Sequence, residues 1–470
     1  MPRSIHHAQS RLKPISPCFH PLALQLVWWA LPILLRVRTR PWLMANISRI
    51  EVSNLDTLVK LYHQFQSGKT RLLLAFHHPE VDDPLCIGYL FSRLVPQAAR
   101  QQNIPLRQPI HAHFLFDRGM MLWAGKWLGW FFARLGGISI RRGRRIDWNG
   151  LQTARQVMAE GQFPLAVAPE GANNGHGGFI SPLEPGVAQL GFWCVEDMQK
   201  ADRPETVVIL PVGLQYDYIT PPWTELDRLL SHLEADAGLP DGSVAWTEAD
   251  RETLFYERLL RLADHLLSEM EQFYQQFYHQ KLSDIGAINI ETTQADQIIA
   301  RLQRLLNVAL QVSEQYFGLP AEGTPGKRCR RIEEAGWNVI YREDIPDLDA
   351  LPPFQRGLAD WAAEEAELQM RHMRLVETFV AVTGAYIQDK PTAERFAERT
   401  MLIFDLVARI KGEELPKRPR LGWRQAQINI GEPIVVNERW ATYQQSRQSA
   451  KQAIATLTHD LRTALEQLVS

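Results

Sequence analysis

The stretch RLLLAFHHPEVDDPL (71–85) carries the most informative local pattern in the chain. Its first six residues, Arg71 followed by the apolar run LLLAF, have the length and composition expected of a buried strand. Near its end an acidic residue precedes proline, which is typical of the first turn of a helix. The stretch therefore predicts a strand, a turn and a helix, with His77 and His78 where the strand ends.

Apolar runs and helical patterns continue to alternate after this stretch. Strands are predicted at 71–76, 111–116, 136–140, 164–168 and 207–215, and helices at 84–94, 151–159 and from Pro185 onward. Alternation of this kind predicts an α/β fold with a mostly parallel sheet flanked by helices.

The pattern changes near Pro221 and returns near Pro416. Between these points long helices are predicted at 257–280, 294–317, 354–383 and 393–410, with a dividing loop at 318–330. A β pattern follows at 425–436, and a closing helix is predicted at 442–468. The predicted parts are a basic, apolar N-terminal segment (1–45), an α/β domain in two pieces (46–223 and 416–470) and a helical insertion between them (224–415).

Composition narrows the range of partners. The formal net charge is -2, so a nucleic-acid partner is not indicated. The four cysteines lie far apart and form no C-x-x-C pair, which argues against a disulfide framework or a zinc knuckle and favours a reduced, cytoplasmic setting.

The N-terminal segment predicts contact with a membrane. The apolar run from Leu22 to Leu35 would span about 21 Å as a helix, less than the roughly 30 Å of a hydrocarbon core. Arg36, Arg38 and Arg40 follow it. We expect a helix lying in one leaflet at the cytoplasmic face of a membrane, although a buried core helix would have a similar pattern. The aromatic-rich stretch 119–137 is predicted to be a lid at the same surface, although a core helix is the alternative.

The spacing H-x4-D in FHHPEVDDPL predicts acid–base chemistry. A histidine can take a proton from an alcohol as that alcohol attacks an acyl carbonyl, and a carboxylate can hold the other ring nitrogen. Two pairs have this spacing, His77 with Asp82 and His78 with Asp83. Because neighbouring strand positions face opposite sides, one histidine is expected to enter the site.

The stretch resembles block I of the glycerophospholipid acyltransferase family, which includes lysophosphatidate acyltransferases and has the approximate pattern N-H-x-S-x-x-D-P. The match of Asp83 and Pro84 places the family's histidine at His78, with His77 where asparagine is usual. The further blocks follow in the family's order: GGISIRR (136–142) is similar to block II, APEGANN (168–174) to block III, ILPVG (209–213) to block IV and GEPI (431–434) to the last strand.

This resemblance implies an O-acyltransferase that moves an acyl group from acyl-CoA or acyl-carrier protein to a hydroxyl of a glycerolipid acceptor such as 1-acyl-glycerol-3-phosphate. The implied mechanism is direct attack, without a cofactor or a metal. The implied site residues are His78 and Asp83 for catalysis, Arg142, Glu170 and Gly171 for acceptor binding, and Arg141 and Asn173 as further acceptor-binding candidates.

Two departures from the family concern the acceptor. Asn173 stands where block III usually has arginine, and Glu184 lies where many members have a basic residue. Two other functions stay open on the sequence alone. One is a metal-dependent hydrolase that uses the His/Asp cluster with His111 and His113, and the other is a non-catalytic membrane adaptor with the same fold. The oligomeric state is not indicated.

Overall fold

A computed structural model of the chain describes residues 7–11, 13–40, 43–141, 147–173, 175–240, 242, 246–282, 293–379, 392–413 and 416–469. These residues form two compact units. The sheet unit takes in the described residues of Pro14–Arg141, Asp147–Pro221 and Gly422–Ser470, and the helical unit those of Met1–Lys13 and Pro222–Leu421. The N-terminal segment 1–45 is thus divided between the two units.

The secondary structure follows the chain in this order. The strands are β1 (Gln9–Ser10), β2 (Ile47–Ser53), β3 (Thr70–Phe76), β4 (His113–Asp117), β5 (Gly137–Ile140), β6 (Leu165–Val167), β7 (Thr206–Tyr218), β8 (Tyr341–Arg342), β9 (Arg424–Ile430) and β10 (Ile434–Val435). The helices of the sheet unit are α1 (Pro21–Arg36), α2 (Leu55–Gln66), α3 (Asp83–Tyr89), α4 (Val95–Gln101), α5 (Met120–Ala124), α6 (Lys126–Arg134), α7 (Trp148–Glu160), α8 (Gly186–Lys200), α15 (Trp440–Tyr443) and α16 (Arg447–Leu468). Those of the helical unit are α9 (Trp223–Asp236), α10 (Arg251–Tyr278), α11 (Gln294–Phe317), α12 (Pro325–Ile340), α13 (Pro353–Phe379) and α14 (Ala393–Ile410).

The central sheet of the sheet unit is mostly parallel. Its strand order is β2-β9-β7-β3-β6-β4-β5, and β10 pairs with β7. The five strands from β7 to β5 run parallel to one another, whereas β9 and β10 run antiparallel to β7. Helices flank the sheet, so the predicted α/β fold with a mostly parallel sheet is confirmed.

Strand β3 lies at the centre because both of its faces are apolar. All seven of its residues are buried. Leu72 and Leu74 join one apolar cluster, and Leu73 and Ala75 join the other. A strand covered on both faces is expected to be a continuous apolar run, which explains why RLLLAF shows no alternation.

Strands β7 and β9, which lie before and after residues 224–415 in the chain, pair with each other. Tyr218, at the end of β7, is the partner of Arg424, at the start of β9. Beyond this pair, the N–H of Ile219 donates to the carbonyl of Trp423 at 3.0 Å. These two strands therefore bring residues from distant parts of the chain into one sheet.

The helical unit differs from the sequence prediction at 318–330. The last six residues of this stretch (325–330) are the beginning of helix α12, which starts at Pro325 after Thr324. Proline suits the first turn of a helix because its missing N–H would be unpaired there. The glycines and prolines of this stretch were interpreted as a loop, and that interpretation is wrong from residue 325 onward.

Buried arginines join successive helices of this unit. Arg258 of α10 pairs with Glu234 of α9 at 2.8 Å, and Arg328 of α12 pairs with Glu314 of α11 at 2.7 Å. Removing one partner of such a pair leaves a buried charge uncompensated. These pairs therefore favour one register between neighbouring helices.

Candidate active site

The two histidines of the tandem differ in exposure. The His77 side chain is fully buried, whereas the His78 side chain keeps 22% of its surface exposed. The backbone N–H of His77 donates to the carbonyl of Val212 at 2.8 Å, so the sheet pairing of β3 extends to this residue. Neighbouring strand positions face opposite sides. Within the tandem, His78 is therefore the ring that a substrate can reach.

Asp83 holds one ring nitrogen of His78. Its Oδ2 lies 2.7 Å from His78 Nδ1, and Asp83 is the first residue of α3. A proton on Nδ1 that donates to the carboxylate leaves a lone pair on Nε2. Within the described part of the chain, Nε2 of His78 makes no hydrogen bond, so this nitrogen can act as a base.

Three donors fix the buried Asp83 carboxylate. Besides His78, the backbone N–H of Glu80 donates to Oδ2 at 2.9 Å and the Tyr216 hydroxyl donates to Oδ1. Burial raises the pKa of Asp83, and the hydrogen bonds from His78 and Tyr216 offset part of this rise. The carboxylate thus cannot rotate without losing hydrogen bonds, and this holds the His78 ring in one orientation.

The neighbouring carboxylate, Asp82, has other partners. It is fully buried, and its Oδ2 accepts from the backbone N–H groups of Met44 and Ala45 at 3.0 and 2.9 Å. Arg424 lies 3.3 Å from Asp82 and 2.5 Å from Glu80. Burial raises the pKa of Asp82 to about 6, and the charge of Arg424 limits that rise. Through these hydrogen bonds Asp82 connects the turn between β3 and α3 to residues 44 and 45, which precede β2.

Sequence reasoning missed Tyr216 and Arg424. A signal existed for Arg424, because it occupies a buried position in the alternating strand RQAQINI, in phase with Ala426 and Ile428. A charged residue in phase with the apolar positions of a strand implies a buried partner. Tyr216 carries no comparable signal, because tyrosine is common in strands.

Residues 77–82, which connect β3 to α3, form the histidine turn. Glu170 follows β6 and is buried against this turn. Its Oε1 lies 2.7 Å from His77 Nδ1 and accepts from the backbone N–H of His78 at 3.0 Å. Its Oε2 accepts from the N–H of Ser181 at 2.8 Å. Burial raises the pKa of Glu170, but the hydrogen bonds from His77 and these backbone groups outweigh burial and lower it. Gly171, at φ +76, allows the chain to reverse directly after this carboxylate.

Of the other predicted acceptor-binding residues, Arg142 lies outside the residues that the structure describes. Arg141 donates its backbone N–H to Asp147 at 2.9 Å, and Asn173 is exposed. The buried Arg118, which sequence reasoning missed, pairs with the same Asp147 at 2.7 Å. The acceptor-binding roles of Arg142, Glu170, Gly171, Arg141 and Asn173 stay predictions.

His111 and His113, candidates for metal ligation, lie in an aromatic cluster around Phe163. Their ring nitrogens lie 2.7 and 2.9 Å from the carbonyls of Leu135 and Gly136. Burial lowers the pKa of His111 to about 4. A search of the described residues finds no group of three or more His, Cys, Asp or Glu side chains placed to hold a metal ion.

Comparison with known proteins gives one family. Residues 49–215 match the family model described as Acyltransferase. No curated protein and no solved structure matches the chain significantly. The matched range includes β3, the tandem histidines, Asp83 and Glu170. The chain therefore contains, in residues 49–215, a domain of the acyltransferase family, to which blocks I to IV of its sequence belong.

Proposed function

We propose that this protein transfers a fatty acyl group from acyl-CoA or acyl-carrier protein to a hydroxyl of a glycerolipid acceptor such as 1-acyl-glycerol-3-phosphate. The observation that supports the proposal most directly is the pairing of His78 with the buried Asp83 at 2.7 Å, with the His78 side chain partly exposed. A base held in this way can activate an alcohol. The acyltransferase domain supplies the reaction class.

The chemistry uses protein groups alone. Nε2 of His78 removes the proton of the acceptor hydroxyl as its oxygen attacks the thioester carbonyl. The tetrahedral intermediate then collapses, the carbon–sulfur bond breaks, and the leaving thiolate takes the proton from His78. Asp83 stabilises the imidazolium between these steps. The products are the ester and the free thiol, and no acyl-enzyme forms.

Product analysis tests this function directly. Wild-type protein with a radiolabelled acyl thioester and a panel of glycerolipid acceptors is expected to give a labelled ester, also in the presence of EDTA. A labelled free fatty acid as the sole product, lost on chelation, would favour the metal-dependent hydrolase. Absence of any product with a folded protein would favour the non-catalytic adaptor.

The acceptor class depends on Arg142. We propose that its guanidinium binds the phosphate of the acceptor, because arginine binds phosphate through two parallel hydrogen bonds. The departures at Asn173 and Glu184 leave fewer cations for this task. Arg142 is thus expected to carry much of the recognition of a phosphate monoester.

Arg142→Ala is expected to lower kcat/KM for lysophosphatidate by roughly 10- to 100-fold, since a hydrogen bond to a charged group contributes about 1.5–3 kcal/mol. Loss for uncharged monoacylglycerol is expected to be small. The measurement is kcat/KM for both acceptors in the variant and in wild type. Equal loss for both would contradict phosphate binding by Arg142, and a wild-type preference for the neutral acceptor would exclude the phosphate acceptor.

We also propose that helix α1 binds the membrane surface at the cytoplasmic face. None of the helices in the described ranges has the length and apolar character needed to cross a bilayer. One face of α1 packs into the sheet unit through Leu24, Leu31 and Leu35. The opposite face exposes a stripe of large apolar side chains at helical spacing: Leu22, Leu26, Trp29 and Ile33.

Helix α6 adds aromatic residues near α1. Trp127 and Trp130 are exposed, and Arg40 and Arg134 lie over their rings at 4.8 and 3.8 Å. Helices α1 and α6 contact each other within the sheet unit. Tryptophan with arginine suits the headgroup region of an anionic membrane.

Trp29→Ala is expected to weaken binding to phosphatidylcholine–phosphatidylglycerol vesicles roughly tenfold, through loss of buried apolar area. Trp361→Ala is a matched control, because Trp29 and Trp361 are 72% and 69% exposed and neither supports a core. Vesicle sedimentation of both variants checks the expectation. An equal effect of the two variants, or none from Trp29→Ala, would reject α1 as the anchor.

A further inference from the structure

A second histidine–carboxylate pair lies directly behind the first. His77 Nδ1 is 2.7 Å from Glu170 Oε1, and neither side chain has any exposed surface. The first pair, His78 with Asp83, is partly exposed, and its histidine is the next residue along the chain after His77. The two pairs therefore share one backbone segment but face opposite sides of it.

This buried pair also contacts backbone groups. His77 Nε2 lies 3.2 Å from the backbone carbonyl of His176, which can only accept. Glu170 already accepts from the N–H groups of His78 and Ser181, as an ionised carboxylate does. His77 and Glu170 thus form a hydrogen-bonded pair away from water.

The same carboxylate ties two segments together. Through the His78 N–H it holds the backbone of the exposed histidine, and through the Ser181 N–H it holds the loop that follows block III. This loop also donates from the N–H of Gly175 to the carbonyl of Pro79 at 3.0 Å. The position of His78 relative to this loop therefore depends on Glu170.

We propose that Glu170 and His77 are positioning residues for His78, and that Glu170 does not bind the acceptor hydroxyl. The inference rests on the proposed function of His78 as the base. It follows from geometry: every hydrogen bond described for the Glu170 side chain goes to a group of the histidine turn or of the following loop, and its carboxylate is closed to solvent. An acceptor would have to displace these groups to reach it.

Glu170→Gln distinguishes the two roles. The amide keeps the size of the side chain, removes its charge and turns one acceptor into a donor. For a positioning residue kcat is expected to fall roughly 10- to 100-fold, while KM for acceptor and for donor stays within a few-fold. A rise in acceptor KM with unchanged kcat would make Glu170 an acceptor ligand and overturn the proposal.

Two substitutions at His77 provide a rescue test. His77→Asn retains a group that donates to Glu170, whereas His77→Leu has a similar size and cannot donate. The asparagine variant is expected to keep kcat within about tenfold of wild type, and the leucine variant to lose as much as Glu170→Gln. A leucine variant with wild-type kcat would contradict the proposal.

Because these variants remove charges from a buried pair, some of them could unfold. Nitrogen-15 NMR of the wild-type protein tests the pair without a substitution. The spectrum is expected to show a hydrogen-bonded proton between Nδ1 of His77 and Glu170, and absence of that proton would overturn the pairing. Wild-type protein without acyl transfer would reject the proposed function, whereas this spectrum tests the pair independently.

Discussion

His78→Ala is expected to lower kcat/KM for acyl transfer by roughly 10²- to 10⁴-fold, the range typical of general acid–base catalysis. Without the imidazole, no group takes the proton of the attacking hydroxyl. Asp83 loses one of its three hydrogen-bond donors in this variant, so circular dichroism is needed to verify folding. Steady-state kinetics with a saturating acyl thioester provides the measurement.

His459→Ala serves as the control for this loss. This histidine is exposed on α16 and distant in sequence from all four blocks. Its replacement is expected to leave kcat/KM at the wild-type value. A folded His78→Ala protein with wild-type activity would show that another group is the base, and it would reject the mechanism proposed for the His78–Asp83 pair.

Asp83→Asn is expected to cost a comparable 10²- to 10⁴-fold, although it changes a single atom. The amide NH2 can donate to Nδ1 of His78, which moves the ring proton to Nε2. His78 then presents a donor where the mechanism requires a lone pair. At that position the same NH2 also opposes the Glu80 N–H, which donates to Oδ2 of the wild-type carboxylate.

Tyr216→Phe is the matched comparison for Asp83→Asn. It removes one donor and keeps the charge of Asp83, so kcat is expected to fall no more than about tenfold. Circular dichroism of both variants verifies folding. If Asp83→Asn lost no more activity than Tyr216→Phe, the carboxylate would be packing the turn rather than selecting the tautomer of His78.

The fold class could be predicted because its evidence is local. The apolar run 71–76 and the alternation after it place strands and helices from near-neighbour preferences alone. Strand β2 was not predicted, although ISRIEVS alternates weakly, because its burial depends on pairing with β9, more than 370 residues away. Helix α12 was missed because proline and glycine were weighed as loop residues, whereas here they begin a helix.

For the site, sequence spacing together with the resemblance to block I was sufficient to pair His78 with Asp83, because both lie in one strand–turn–helix. It was not sufficient for Tyr216 and Arg424. Tyr216 reaches Asp83 from 133 residues away, and Arg424 reaches Glu80 from 344 residues away. Both arrive on strands whose neighbours are set by the assembly of the sheet, and no local period encodes that assembly.

The sequence by itself determined the α/β class, the H-x4-D pair and the order of the four blocks, since each depends on residues close together in the chain. The tertiary structure alone decided which histidine of the tandem is exposed and which is buried against Glu170. The physical reason is that burial is a property of a packed surface. Two adjacent, identical side chains differ in exposure only once Glu170 and the loop after it have packed against one of them.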